Sequence, residues 1–580
     1  HLSFQEGLFA QHLLIQAAEG WDGWANDETA STFLNNPFMN NTCRIAAGHL
    51  GTLLAKRRPV WDFRGEASLT EVGLQALWLI CENNETLKTL NLSGNGVGQR
   101  NEDSSGLARM LSTSTALNSL DLSKNNLGDL KQYLRSFGRG LGSNKTLTHL
   151  NVANNNLLPD GIKIVCNALR TCTNMKLLDL SHNSPGREPA LASLLQMHTT
   201  LLSIGIVEKE PTTRSERTWW LDTRAKESVG RALLHSSFSV MFLQCDMFAL
   251  NEDTTTLQWK SNAACDAIML AGVLRGNTVL KTLNVGTGGG SLGDFEREEV
   301  GRALLANKSG RVGFCDIYGL KEGMNPTYSL DLKDKEQIRS LRSFTLFAGL
   351  LRSNTALTSL SLSSLIPEHV EILAESLSSN TTLTELRLEQ PTKGGETAVA
   401  VLPVQQLNGN KQVERIDLWE AGGGGPMHRH ACAVVGALMN VNQCCNFLRI
   451  NPGGSSEGGG ILEHMHRSKK STLRELDVSG IGLGDRGGTR FFETLLAGSC
   501  GFLTTLRVGS NKLTDSSVGP LVVEVLRSDS CNLVSLDLKN NMIGGPVITQ
   551  AIKFNKSLTA LDITGNPIED DGLWLIGGLL

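Results

Sequence analysis

One nine-residue pattern, L-x-x-L-x-L-x-x-N, recurs in phase along the chain and restricts its fold more than any other feature. It reads Leu87, Leu90, Leu92, Asn95, then Leu117, Leu120, Leu122, Asn125. It returns at Leu147/Leu150/Val152/Asn155 and Met175/Leu178/Leu180/Asn183. Past an irregular middle come Leu357/Leu360/Leu362, Leu383/Leu386/Leu388, Val413/Ile416/Leu418 and Leu473/Leu476/Val478. The last copies are Leu503/Leu506/Val508/Asn511, Leu533/Leu536/Leu538/Asn541 and Leu558/Leu561/Ile563/Asn566. Weaker copies lie at Leu201/Ile204/Ile206, Phe238/Met241/Leu243, Leu280/Leu283/Val285, Val312/Cys315/Ile317 and Cys445/Leu448/Ile450. With a first strand ending at Trp61 to Phe63, the chain holds about seventeen repeats, spaced by about 25 to 32 residues.

Each position has a physical reason. The L-x-L alternation marks a short strand with one apolar side. Parallel stacking of such strands satisfies backbone groups between neighbours, and the ninth-position Asn can bond the backbone where the chain leaves the strand. Apolar spacing of three to four residues follows, as in Ile162, Val165, Cys166, Leu169 and Val370, Leu373, Ala374, Leu377, and predicts a helix. Asn-x-Thr/Ser-Leu then leads back to a strand, at Asn84, Asn144, Asn380 and Asn555. Asn there suits a left-handed turn, and Thr the start of an extended segment. One repeat cannot bury both faces, so its neighbours stabilise it.

In phase, period and helical second half, these repeats resemble the ribonuclease-inhibitor class of leucine-rich repeats over residues 57–580. That class also occurs in intracellular immune receptors, Ran-type GTPase activators, ubiquitin-ligase adaptors and flagellar scaffold proteins. The resemblance implies an α/β horseshoe solenoid with parallel strands on the concave face and helices on the convex face. It implies architecture far more sharply than function. Residues 58–580 are read as the solenoid, with irregular repeats and insertions at 200–345. Residues 1–57 fall outside the period and read as two helices around a loop with Trp21 and Trp24, a lid for the first repeat. The apolar run at 571–580 has no polar cap, from which the natural chain is expected to continue; the start at His1 suggests trimming.

Composition excludes several classes. Lys and Arg number 54 against 58 Asp and Glu, a net charge of −4, which argues against nucleic acid or an anionic membrane as the partner of the whole chain. No apolar run reaches the roughly 18 residues of a membrane span. The 12 Cys are scattered rather than clustered at the ends, pointing to an intracellular, cytoplasmic site, with flagellar or cytoskeletal variants of it.

Chemistry-bearing motifs are few. Gly288, Gly290 and Gly293 have dinucleotide-loop spacing but sit at a repeat turn, and the runs at 422–425 and 453–460 lack the Lys-Ser/Thr of a phosphate loop. His428, His430 and Cys432 with Glu463, His464 and His466 are the imidazole clusters; they read as partly exposed loop histidines rather than a zinc site, and Cys432 falls on an apolar helical phase. No catalytic grouping, metal or cofactor is expected. The residue between the second and third apolar positions points away from the core, and stacking puts Asp121, Asp179, Asp417, Asp477, Asp537 and Asp562 in a column, interrupted by Arg387 and Arg507. Like charges about 4.8 Å apart need hydrogen bonds or a cationic partner. The column therefore reads either as a docking face for a basic or Ser/Thr-rich segment or as ordinary repeat consensus. Residues 207–232 insert Trp219 and Trp220, a candidate interface anchor, and 318–345 read as a second insertion.

The function expected is a non-catalytic protein–protein interaction scaffold or adaptor, binding other proteins within a large assembly. Two alternatives stand beside it: a regulator of an enzyme, such as a GTPase activator or inhibitor, and the sensing repeats of a larger receptor.

Overall fold

The structure, a computed structural model, describes residues 2–65, 68–99, 105–186, 189–208, 221–236, 240–286, 292–333, 340–391, 397–419, 427–450, 472–499 and 502–568. It divides into two compact units, His1–Arg311 and Val312–Leu580.

In the first unit the L-x-L motifs form short strands: β1 (Val60–Asp62), β2 (Thr89–Asn91), β3 (Ser119–Asp121), β4 (His149–Asn151) and β5 (Leu177–Asp179). They continue through β6 (Ser203–Gly205) and β7 (Phe242–Gln244) in one parallel ladder. β8 (Ala249–Leu250) then folds back antiparallel on β7, while β9 (Thr256–Gln258) and β10 (Thr282–Asn284) pair separately. Leu90, Leu120 and Leu150 meet edge to edge along the ladder, each at most 2% exposed, and form the core with the helices between strands. Pro159–Leu169 is typical: Pro opens it, and Ile162, Val165, Cys166 and Leu169 are the side it buries.

Ahead of β1 lie the helices Leu2–Glu19, Asp27–Leu34 and Met39–Arg57. The middle one falls in the expected loop and starts at Asn26, whose side chain accepts from Thr29 N–H at 2.8 Å. Trp24 packs edge-on against Trp61, ring centres 5.0 Å apart, and against Phe63 at 6.4 Å.

Among the described residues, the second unit has two sheets. β11 (Thr327–Asp331), β12 (Ser359–Ser363), β13 (Glu385–Pro391) and β14 (Thr397–Pro403) form one. The other comprises β15 (Arg415–Asp417), β16 (Phe447–Arg449), β17 (Glu475–Asp477), β18 (Thr505–Arg507), β19 (Ser535–Asp537) and β20 (Ala560–Asp562), all parallel. Several expectations need correction. Part of the supposed insertion at 318–345 is a strand, β11, in register with β12. At Val312/Cys315/Ile317 there is instead a short turn, Asp316–Tyr318, closed by Gly319 at φ 65°, beside a single bridge from Cys315 to Leu320. After β13 the chain does not enter a helix but returns antiparallel as β14, whose Ala400 and Leu402 turn inward while Val399 and Val401 stay half-exposed.

Two asparagine ladders tie the repeats together. At the ninth position, Asn125 Oδ1 accepts from Asn95 N–H (2.9 Å) and Val97 N–H (3.2 Å), and its Nδ2 donates to the Leu92 (2.8 Å) and Ser123 (3.0 Å) carbonyls. Left-handed residues flank this Asn, Lys124 at φ 57° and Asn126 at φ 54°, and Ser510 and Lys512 flank Asn511 in the same way. The Asn of Asn-x-Thr/Ser-Leu differs from expectation. Asn144 is extended (φ −71°, ψ 135°); its Oδ1 accepts from Leu147 N–H at 2.8 Å and its Nδ2 donates to the Leu111 carbonyl of the preceding repeat at 2.7 Å. The amide, which can donate and accept at once, is what the position requires.

Candidate functional site

Because a strand alternates, the residue after each central Leu faces outward. In the first unit that outward column reads Asp62, Asn91, Asp121, Asn151, Asp179, Gly205, Gln244 along paired positions. In the six-stranded sheet of the second unit it reads Asp417, Arg449, Asp477, Arg507, Asp537, Asp562. The carboxylates are therefore mostly separated by an amide or a guanidinium; only Asp537 and Asp562 are direct neighbours. Arg387 does not interrupt this column, since it lies in the other sheet between Ser361 and Val401.

Every one of these Asp residues spends Oδ1 on the backbone two residues on. Asp121 accepts from Ser123 N–H at 2.8 Å, Asp179 from Ser181 at 2.9 Å, and Asp417 from Trp419 at 3.0 Å. Asp477 accepts from Ser479 at 3.0 Å, Asp537 from Lys539 at 2.9 Å and Asp562 from Thr564 at 3.0 Å. This local bond holds the turn off the strand. The hydroxyl and N–H of Thr564 also hold the Asp562 carboxyl below its ordinary range.

The second oxygen distinguishes the residues. Asp121 Oδ2 accepts from Asn151 Nδ2 at 3.1 Å. Arg449 reaches both flanking carboxylates, Asp417 at 3.7 Å and Asp477 at 3.4 Å, and Lys539 reaches Asp537 at 3.2 Å. Arg507 turns aside to Glu475 at 3.3 Å. Arg415 lies over the Phe447 ring and Arg449 over that of Trp419, which is 47% exposed. Asp179 Oδ2 has no donor or cation among the described residues.

A cavity of about 360 Å³ lies on the outward side of β3 to β8, with Asp121, His149, Asn151, Asp179, Gly205 and Gln244 in its wall. A second, of about 970 Å³, is bordered by Glu208, Leu221, Lys226, Asp246, Phe248 and Lys260. Burial raises the Glu208 carboxyl to about 7, and Asp246 beside it adds to the rise. Burial pulls Lys226 down, but Asp266, 3.5 Å away, and Glu208 outweigh it and hold the ammonium up. No spacing rule links residues 208, 226, 246 and 266, so this cluster had no sequence signal.

Trp219, Trp220, Gly288, Gly290, Glu463, His464, His466, the glycine runs and the terminal 571–580 lie outside the described residues. Their partner His428 is not an exposed loop residue: it is 6% exposed, accepts from Ala431 N–H at the start of helix Arg429–Met439 and contacts the Leu388 carbonyl. Cys432 packs inside that helix, its thiol pushed by burial up to about 12, as the apolar phase predicted. Among the described residues, no three His, Cys, Asp or Glu side chains gather to hold a metal, and no helix is long and apolar enough to cross a membrane.

The profile of the Leucine Rich repeat family matches residues 83–99, 113–130, 143–165 and 554–576. No curated protein sequence matches the chain. Among solved structures, the leucine-rich repeat-containing protein LegL7 from Legionella pneumophila is similar at 17% identity over 53% of this chain and 92% of that one, with a TM-score of 0.24. The Rad7 and Elc1 complex in yeast is similar at 13% identity over 93% and 94%, with a TM-score of 0.26. An internalin from Listeria monocytogenes is similar at 15% identity over 85% and 83%, with a TM-score of 0.17. Each is a similarity and no more.

Proposed function

We propose that this leucine-rich repeat protein is a non-catalytic scaffold or adaptor that holds other proteins against the outward faces of its strands. The observation that supports this reading is the outward column itself. Ladder pairing sets its side chains at about 4.8 Å intervals, and a partner can contact many of them without the protein reorganising. Asp121, Asp179, Asp417, Asp477, Asp537 and Asp562 contribute as charges whose turn-holding oxygen is already engaged, leaving the other to meet a partner or a neighbouring side chain, as Asn151 meets Asp121. Trp219 and Trp220 are proposed as an inserted anchor on residue type alone. The helices of 1–57 act as the lid of the first repeat, with Trp24 seated on Trp61 and Phe63.

The test is capture of partners on the immobilised chain, read by mass spectrometry. Ser119→Arg with His149→Arg on the strand side should abolish capture of at least one partner, while Lys163→Glu on helix Pro159–Leu169 should not. Equal capture by both variants removes the proposal. Incubating captured or candidate GTPases with the chain and measuring phosphate release separates a scaffold, which leaves the rate unchanged, from a regulator.

A further inference from the structure

The strand-face cavity of the first unit departs from the repeat pattern at one strand. Where other strands carry Asp or Asn, β6 carries Gly205, between Asp179 and Gln244 in the register. A β-carbon there would collide with Asp179 Oδ1 and stand 2.8 Å from Ser181 Oγ, so the carboxylate leans over the bare backbone. One side of the roughly 360 Å³ cavity is closed by the β7–β8 hairpin, which brings Ala249, Leu250 and Asn251 into its wall. Apolar area comes from Leu177 and Ala249, and hydrogen-bonding groups from Ser203, Gln244 and Asn251.

Its charge is one-sided. Asp121 and Asp179 line the cavity, and among the described residues neither Lys nor Arg does. Asp121 has its neighbour Asn151; Asp179 uses Oδ1 for Ser181 N–H and has no second donor among the described residues. In the second unit, Asp417, Asp477 and Asp537 each have a cation within 4.0 Å. Asp179 is thus a half-buried carboxylate with an unused oxygen, leaning over Gly205 in the cavity wall. A carboxylate so placed selects a planar or point cation that can donate to Oδ2 while its stem lies on Leu177 and Ala249.

We propose that the cavity beside Asp179 is a subsite for one Arg or Lys side chain of a bound protein segment, with Asp179 as its counter-charge and Gln244 and Asn251 as flanking hydrogen-bond partners. The proposal rests on the strand-face reading and makes it specific: the docked segment is basic at one position, and it docks on the first unit.

The probe is a library of displayed random nonapeptides selected on the full chain. Peptides displaced by Ser119→Arg with His149→Arg define strand-face binders. They are expected to share one Arg or Lys position, and Asp179→Asn should weaken them about tenfold, because Asn keeps the acceptor for Ser181 N–H but removes the charge. Gly205→Ala should weaken them similarly, because its β-carbon would displace the Asp179 carboxylate, whereas Asp160→Asn on helix Pro159–Leu169 should leave them unchanged. Circular dichroism and melting of Asp179→Asn matching the parent show that the loss is one of binding. Strand-face binders with no shared cationic position, or bound equally by Asp179→Asn, overturn this subsite and leave the strand-face reading standing. A selection with no strand-face binder overturns both.

Discussion

In the first unit the outward column alternates Asp62, Asn91, Asp121, Asn151, Asp179, while in the second it alternates Asp417, Arg449, Asp477, Arg507, Asp537. Where either column carries Asp or Asn, Oδ1 receives the N–H two residues on and holds the turn off the strand, whereas Gly205, Arg449 and Arg507 leave their strands without that bond. A carboxylate in every strand would stack charge at about 4.8 Å intervals. Amide spacers widen that to about 9.6 Å, near the screening length of roughly 10 Å at 0.1 M salt, and leave the first unit's column negative. In the second unit Arg449 reaches Asp417 and Asp477, and Lys539 reaches Asp537, so these three carboxylates meet cations of their own unit. The difference teaches that one turn-holding residue, given two kinds of neighbour, produces one face open to a cation and one that has largely satisfied itself.

The largest expected effect tests whether the chassis beneath the two faces is really shared. Asn125 makes four side-chain bonds to the backbone, and Asn541 makes the equivalent four with a fifth to the Leu538 carbonyl; each is at most 3% exposed. Replacing either by Ala strands buried backbone groups and should cost about 3 kcal/mol or more, read by hydrogen exchange of the adjoining strands. A gap between the two above roughly 2 kcal/mol breaks the equivalence.

Next comes the spacer itself. Arg449→Ala leaves Asp417, whose side chain is only 8% exposed, with Arg415 alone at 3.6 Å, and should cost about 2 kcal/mol in chemical denaturation. Asn151→Ala gives up one side-chain bond to Asp121 and its turn acceptor, so about 1 kcal/mol is expected. The reverse order would show that the first unit depends on its column more than the second does.

A pH effect confined to the first unit follows. Glu208 is raised from 4.5 to about 7, so between those values the folded state holds a proton that the unfolded state has released. Stability contributed by that proton is full below about pH 4.5 and is lost as pH rises through 7. With the site's partial exposure allowed for, about 1 kcal/mol should disappear from strands β6 and β7 between pH 5 and 8, and Glu208→Gln should flatten that slope. The smallest effect is on stability in Asp179→Asn, within about 0.5 kcal/mol of the parent, since Asn retains the turn bond and no cation is lost. A larger loss would give Asp179 a structural duty that its bonds do not reveal.

Much of this was legible beforehand. Period-two Leu residues located β2 to β5 and β16 to β20, and three-to-four spacing located helices such as Pro159–Leu169. The alternation of the column is also legible in the sequence, since Asn91, Asn151 and Arg449 occupy the same phase as the Asp residues. Other features had no local signal. Val399 to Leu402 reads as an apolar run whether it continues a helix or doubles back, and pairing with β13 decides it. Thr256–Gln258 is three residues without the Leu phase and is a strand because β10 is there to receive it. The extended backbone of Asn144 follows from a carbonyl in the preceding repeat, thirty-three residues away.

What the sequence alone determined is therefore the periodic part: which residues turn inward, where each strand ends, and which Asn closes each turn. Those depend on contacts within a repeat or between identical phases, and one repeat's pattern predicts the next. Tertiary structure decided where the ladder breaks, which carboxylates find a cation, and that Gly205 lies under Asp179. Those depend on what stands beside a residue in the neighbouring strand, and backbone pairing brings together positions that the chain itself keeps some thirty residues apart.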